Sequence, residues 1–219
     1  MFRTTDNFDA FNRSLSDLAQ RQLPFALVLA TNDTANDALG DVRDEIVRSF
    51  DNPTRWTQNA FFVRRATKAK PVATVERKTA VARRHYLEVQ EAGGPRGQTG
   101  LEKRLGVRTV TPASGARLNA SGNWSPAQRK RVLAQVGSKG SAQGAAGKAK
   151  FFATGPKSKL SPGIYQRNKR GLRKIVHFSK RAPRYSKRFR FDQVTTAKAR
   201  ASFPRHLERR LKWAIETAK

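Results

Sequence analysis

The stretch LPFALVLATNDTANDALGDVRDEIVRSF, residues 23–50, decides the fold because it combines a long apolar stripe with a row of acids. Its apolar residues recur at helical spacing, among them Val28, Val42 and Phe50. Pro24 suits the first turn of a helix, and Asn52-Pro53 ends the pattern. The stretch therefore predicts a helix of about 26 residues.

The segments around this helix predict further helices and a β-hairpin. Residues 6–21 place Phe8, Phe11, Leu15 and Leu18 on one helical face. Residues 60–77 contain two short β-branched and aromatic runs that flank Lys68-Ala69-Lys70-Pro71, which is the pattern of a hairpin. Shorter helices are predicted within residues 78–92, 101–105 and 125–136.

The C-terminal part predicts strands followed by a helix. Strand candidates are residues 151–154, 163–167 and 172–178, and the alternation in KRFRF, residues 187–191, is also typical of a strand. A C-terminal helix carries Phe203, Leu207, Leu211, Ala214 and Ala218 on one face, to which Ile215 is also assigned, and Ser202 and Pro204 predict its start.

Together these segments predict one α+β domain. We expect the long N-terminal and C-terminal helices to pack on a single antiparallel sheet to which both groups of hairpins contribute. Residues 1–136 and 151–219 form this domain, and residues 137–150 (GSKGSAQGAAGKAK) are expected to form a flexible basic loop.

The charge is divided unevenly along the chain. Residues 1–60 hold 6 Lys/Arg against 9 Asp/Glu, whereas residues 61–219 hold 39 against 7, within a net charge of +29. Such a distribution suits a protein that lies beside nucleic acid or inside a large assembly rather than a metabolic enzyme. The longest apolar run, residues 23–30, is far shorter than the roughly 20 residues of a membrane span. We therefore expect an untargeted, soluble protein without a membrane partner.

Motifs for catalysis or cofactor binding are not found in the sequence. The absence of cysteine excludes disulfides, thiolate zinc sites and a cysteine nucleophile. Gly147-Lys148 suggests a P-loop, but Ala142 and Ala149 occupy positions where that motif needs glycine and Ser/Thr. The three histidines, at positions 85, 177 and 206, lack the spacing of a zinc helix. The sequence predicts no cofactor, no metal, no catalytic residue and no enzymatic activity.

Four acids of the long helix, at i, i+4, i+8 and i+12, form a stripe away from its apolar face. They are Asp33, Asp37, Asp41 and Glu45. The stripe could be a solvated face, or a docking strip for a basic surface on this chain or on a neighbouring copy, whereas metal sites usually take ligands from several elements. As a site assignment we expect these four acids to form a subunit interface.

The basic part of the chain interleaves aromatic residues with cations, so that cations could contact phosphates and rings could stack on bases. The simpler alternative is that Phe189 and Phe191 belong to the core. Nine cations are the candidate contacts for DNA or an acidic partner: Arg167, Lys169, Arg170, Arg173, Lys174, Arg184, Lys187, Arg188 and Arg190.

Four segments together resemble a known family: residues 23–50, FFVRRATKAKPVATVE at 61–76, HYLEVQEAGGPRGQTGLEKRL at 85–105, and GIYQRNKRGLRKIVHFSKRAPRYSKRFRFDQV at 163–194. Their combination and order, followed by the terminal helix, resemble minor tail or tail-completion proteins of long-tailed bacteriophages, the group of the lambda-type minor tail protein Z. The resemblance spans residues 20–218. The resemblance implies a small α+β fold without enzymatic activity, placed at the head-proximal end of the tail near the tail terminator.

Three interpretations of function were compared. The favoured one is a structural virion protein that is assembled in the host cytoplasm and forms a ring, expected to be a hexamer. Its expected partners are the tail terminator, tail tube or neck proteins, and phage DNA in the lumen is a further candidate. A ring suits an acidic helix and a basic body in one chain, because unlike surfaces of adjacent copies can match. The alternative is a sequence-independent nucleic-acid-binding protein of ribosomal or nucleoid type, although no reader motif is present. The third interpretation, a nuclease or other enzyme, is disfavoured because the basic half of this chain contains no carboxylate cluster.

Overall fold

The computed structural model describes residues 22–79, 86–136, 150–154 and 158–217. Within them the chain is mixed α and β, with a long helix near each end and antiparallel sheets, so the predicted α+β class is confirmed. The elements in chain order are α1 (Leu23–Ser49), α2 (Arg55–Gln58), β1 (Phe61–Arg64), β2 (Thr74–Arg77), α3 (Tyr86–Ala92), β3 (Gly94–Pro95), α4 (Gly100–Leu105), β4 (Thr109–Pro112), α5 (Pro126–Gln135), β5 (Phe151–Ala153), β6 (Gly163–Asn168), β7 (Gly171–Ser179), β8 (Arg184–Tyr185) and α6 (Phe191–Thr217).

The chain groups into two compact units, each discontinuous in sequence. Unit 1 consists of Met1–Ser49, Arg55–Ala82 and Arg190–Lys219, and unit 2 consists of Phe50–Thr54 and Arg83–Phe189. The single domain expected from the sequence spans both units and stays a prediction. The predicted helix over residues 6–21 and nearly all of the predicted loop 137–150 lie outside the described residues.

Unit 1 is built around the packing of α1 against α6, which are 27 residues each. The buried face of α1 is rich in small side chains, with Ala26, Ala30 and Ala38 joined by Val42 and Ile46. Small side chains let two helices approach closely, so the contact is a helix-on-helix seam. The antiparallel β1–β2 hairpin joins this unit through the ring of Phe61, which stacks on Phe191 at 4.8 Å between centroids.

Unit 2 contains a four-stranded antiparallel sheet in the order β4-β7-β6-β5. A bulge between Ile164 and Tyr165 lets β7 place both Ile175 and Val176 in the core. The core comprises Leu105, Trp124, Val132, Val136, Phe151, Ile164, Ile175, Val176 and Phe178, so α4 and α5 contribute to it beside three of the strands. A separate small sheet pairs β3 with β8.

Two details of the predicted fold are wrong. The hairpins at 61–77 and 163–179 belong to different sheets in different units, so the two long helices do not share one sheet made from both. The C-terminal helix begins at Phe191 rather than at Ser202, and Pro204 lies inside it. An internal proline costs about 3 kcal/mol, and packing along α1 offsets this cost.

The same shift of the helix start changes the roles of several side chains. KRFRF is not a strand, because residues 186–190 are irregular and Phe191 is the first residue of α6. Phe189 is buried, as the simpler interpretation of the aromatic residues expected. Ile215 is 57% exposed and does not belong to the covered face of the helix, whereas Ala214 is buried, as its spacing predicted. None of the helices in the described ranges combines the length and the apolar composition that a membrane span requires.

Candidate functional site

The four acids of α1 face cations of α6 within unit 1. Asp33 lies 2.7 Å from Nε of Arg210 and 3.0 Å from a terminal guanidinium nitrogen of Arg209. Asp37 lies 2.8 Å from Nε2 of His206. Successive acids toward the C-terminus of α1 pair with residues successively nearer the N-terminus of α6. The two helices therefore run antiparallel along this row.

The row continues toward the C-terminal end of α1. Asp41 lies 3.0 Å from Nζ of Lys198, and Glu45 lies 3.1 Å from Nε of Arg190. We call this set the α1–α6 ion-pair row: Asp33, Asp37, Asp41 and Glu45 on α1, with Arg190, Lys198, His206, Arg209 and Arg210 in and before α6.

The end members of the row are held as carboxylates. Hydrogen bonds from Arg210 and Arg209 lower the pKa of Asp33, although partial burial acts against them. Burial raises the pKa of Glu45, but hydrogen bonds from Arg190 and Ser49 outweigh it, so the net shift is downward. Both groups are therefore charged partners of their arginines at neutral pH.

This geometry bears on the predicted subunit interface. The structure brings the stripe against a basic surface on the same chain, which was one of the two docking alternatives. The side chain of Glu45 is fully buried, and Asp33 is mostly buried. A subunit interface at these four acids stays a prediction.

Charge is concentrated in unit 2. Its residues include 25 Lys/Arg against 4 Asp/Glu, a net charge of +21 out of +29 for the chain. Residues 103–191 contain 23 Lys/Arg and no Asp or Glu. Unlike unit 1, unit 2 has no row of acids in its sequence that could neutralise its cations, so a large excess of positive charge remains there.

Glu102 is a buried acid of unit 2, and its role is structural. It receives two hydrogen bonds from the guanidinium of Arg96, others from Thr99, and one from the backbone of Val110. These bonds join the start of α4 to β4. Burial raises the pKa of Glu102, but the bonds from Arg96 and Thr99 prevail and lower it to about 2.

The most exposed group of predicted contact residues lies on the β6–β7 hairpin. We call residues 167–173 the β6–β7 arm. Arg167 pairs with Leu172 and Asn168 with Gly171, and Lys169-Arg170 form the turn. Gly171 has a φ of 120°, which a glycine adopts without strain. The four cations Arg167, Lys169, Arg170 and Arg173 are all exposed.

Aromatic residues lie at the base of this arm, but cations already cover their faces. The rings of Phe152 and Tyr165 stack at 6.0 Å, Cζ of Arg167 lies 4.5 Å from the Phe152 centroid, and Nζ of Lys174 lies 5.6 Å from that of Tyr165. Lys174 Nζ also lies 2.9 Å from Nδ1 of His177. Tyr165 is buried, so the predicted stacking on bases has no open ring there.

The other predicted contact residues are more dispersed. Arg184 lies in β8, and Lys187 and Arg188 lie in the irregular segment before α6, all exposed in unit 2. Arg190 belongs to unit 1, where it pairs with Glu45. The structure therefore groups five of the nine residues on one hairpin and assigns Arg190 to the ion-pair row.

Unit 1 has a cavity of about 560 Å³ between α1, α6 and β2. Hydroxyls of Thr31, Thr34 and Thr195 donate to carbonyls of their own helices, so these residues present mainly methyl groups to the cavity. Arg200 is the charged residue of its lining. This set lacks the paired nucleophile and base of a hydrolytic site.

Within the described ranges, no group of three or more His, Asp or Glu side chains could hold a metal ion. Gly147-Lys148 and His85 lie outside those ranges. Comparisons with known protein families, with curated proteins and with solved structures found no match to this chain. Function must therefore be argued from the two units themselves.

Proposed function

We propose that this chain is a structural protein of a long-tailed phage, without catalytic activity, that completes the head-proximal end of the tail. It would self-associate into a ring there and contact the tail terminator, tail tube or neck proteins. The order of elements, with a long helix near each end and antiparallel hairpins between them, agrees with the fold that the sequence resemblance implies.

The observation that carries this proposal is the division of charge between the units. Unit 1 pairs the four acids of the α1 stripe with its own cations, whereas unit 2 keeps a net charge of +21. A chain of this kind has one unit stabilised by internal ion pairs and another that attracts acidic surfaces. That combination suits an assembly component more than an enzyme.

In vitro complementation tests the proposal. Heads and tails from particles that lack this protein should remain separate, and the purified protein should restore their joining. Joining that is complete without the protein, or a lack of restoration by folded protein, would contradict the assignment. Purified protein should also show no hydrolysis of DNA when divalent metals are supplied.

The acid-free segment 103–191 favours a second candidate, sequence-independent binding to nucleic acid. Counterion release from phosphates would supply the binding energy, so affinity should fall steeply with salt and depend little on sequence. Fluorescence anisotropy with duplexes of unrelated sequence measures both properties. Binding that is insensitive to salt, or selective for one sequence, would contradict this candidate.

A further inference from the structure

The β6–β7 arm projects past the strands on both sides of it. Strand β5 pairs with β6 only as far as Gln166, and β4 pairs with β7 only from Val176 onward. Between these points the two strands pair with each other, and three backbone bonds reach other segments: Arg167 donates to Lys150, and Ala113 and Gly115 donate to Ile175 and Lys174. Within the part of the chain that the structure describes, residues 168–172 therefore form the end of a two-stranded ribbon that no third strand flanks.

The base of the arm is anchored, whereas its tip is not. Arg167 packs over the ring of Phe152, and Arg173 donates to the carbonyl of Ser114 at 3.1 Å. In the described part of the chain, no hydrogen bond or ion pair engages the side chains of Lys169 and Arg170 at the turn. The two cations at the tip thus remain available to a partner.

The arm also exposes a large apolar residue among its cations. Leu172 is 49% exposed and lies opposite Arg167 on the ribbon. Contact with the solvent does not stabilise an exposed leucine, whereas contact with base edges or a base step can bury it. Exposed cations beside one apolar side chain match the requirements of a nucleic-acid groove.

We propose that the β6–β7 arm inserts into a groove of duplex nucleic acid. A two-stranded ribbon fits a major groove about 12 Å wide. In this arrangement Lys169 and Arg170 neutralise phosphates across the groove, and Leu172 contacts the base edges. A duplex is favoured over a single strand because Arg167 and Lys174 already cover the rings that unstacked bases would need. This inference rests on the nucleic-acid-binding candidate.

The test compares two double variants of the full chain with equal loss of charge. K169A/R170A removes the two cations at the tip of the arm, and K130A/R131A removes two exposed cations from α5 in the same unit. Anisotropy is measured with a mixed-sequence duplex of about 30 base pairs and with one of its single strands, at several salt concentrations. Melting temperatures confirm that both variants fold.

K169A/R170A should bind the duplex roughly tenfold more weakly than wild type. The slope of its log K against log salt concentration should be shallower by about 1.8. K130A/R131A should differ from wild type by less than about threefold. Leu172→Ser removes the apolar side chain without changing the charge. It should weaken duplex binding several-fold but leave binding to heparin, which depends on charge, unchanged.

Three results would overturn this inference and leave the nucleic-acid-binding candidate intact. They are equal losses of duplex affinity in both double variants, tighter binding of the single strand than of the duplex by wild type, or no effect of Leu172→Ser. If wild type binds neither the duplex nor the single strand, the nucleic-acid-binding candidate fails as well. The two failures are therefore distinguishable.

Discussion

Nε of Arg190, the residue immediately before α6, lies 3.1 Å from Oε1 of Glu45, whose side chain is fully buried in α1. This pair ties the start of α6 to the C-terminal part of α1. It also accounts for a helix that begins at Phe191 although Pro204 suggested a later start, because a tertiary contact overrides local propensity.

Replacing Arg190 with alanine should destabilise unit 1. The carboxylate of Glu45 would keep Ser49 and Arg48 as partners but lose its main cation, at a cost of about 1–3 kcal/mol. Urea unfolding measures the change. Arg205→Ala, an exposed position on the same helix, is the control and should change the free energy of unfolding by less than about 0.5 kcal/mol. Equal effects of both variants would contradict the role of the pair.

The pairing of Asp33 with Arg210 should appear as energetic coupling. Asp33→Asn removes the carboxylate that Arg209 and Arg210 share, whereas Arg210→Gln leaves Asp33 paired with Arg209 alone. A double-mutant cycle in urea unfolding should therefore give a coupling of about 1 kcal/mol. Additive losses would show that the two side chains do not interact in solution.

Protonation of Glu102 should lower the free energy of unfolding in acid. Its pKa drops from its ordinary 4.5 to about 2 on folding, so its contribution is present above pH 4.5 and is lost as the pH falls toward 2. The loss should approach about 3 kcal/mol. Glu102→Gln should be less stable at pH 7 and show a weaker acid dependence between pH 5 and 2.5. An unchanged pH profile in this variant would exclude Glu102 as the cause.

The covered face of α1 can be tested with neighbouring residues. Ile46 is fully buried and Val47 is 55% exposed. Ile46→Asp should bury an unpaired carboxylate and cost more than about 3 kcal/mol, whereas Val47→Asp should have little effect. Circular dichroism at increasing temperature compares the two variants, and similar melting temperatures would contradict the assigned face.

Local pattern was sufficient to predict most elements of the fold. The spacing of apolar residues predicted α1, and alternation together with turn residues predicted β1, β2, β5, β6 and β7. The start of α6 was predicted wrongly because proline usually marks a first turn, and sequence alone does not show the packing that sustains a helix through Pro204. Assignment of hairpins to sheets likewise depends on contacts distant in sequence.

The candidate site was predictable only in part. The acid row was evident from its spacing, but its partners on α6 were missed, although Lys198, His206 and Arg210 recur at helical spacings that could have indicated a matching basic face. The cations of the β6–β7 arm were named from composition. Their exposure beyond the neighbouring strands depends on the register of the sheet, which the sequence does not reveal.

Negative-stain electron microscopy tests the proposed function most directly. The gold-labelled protein would be incubated with tail tubes of a long-tailed phage in which the proposal places it, and compared with label alone. Label at one end of each tube, the head-proximal end, is the predicted result. Label distributed along the tubes, at the opposite end, or absent from them would contradict a role in completing the tail.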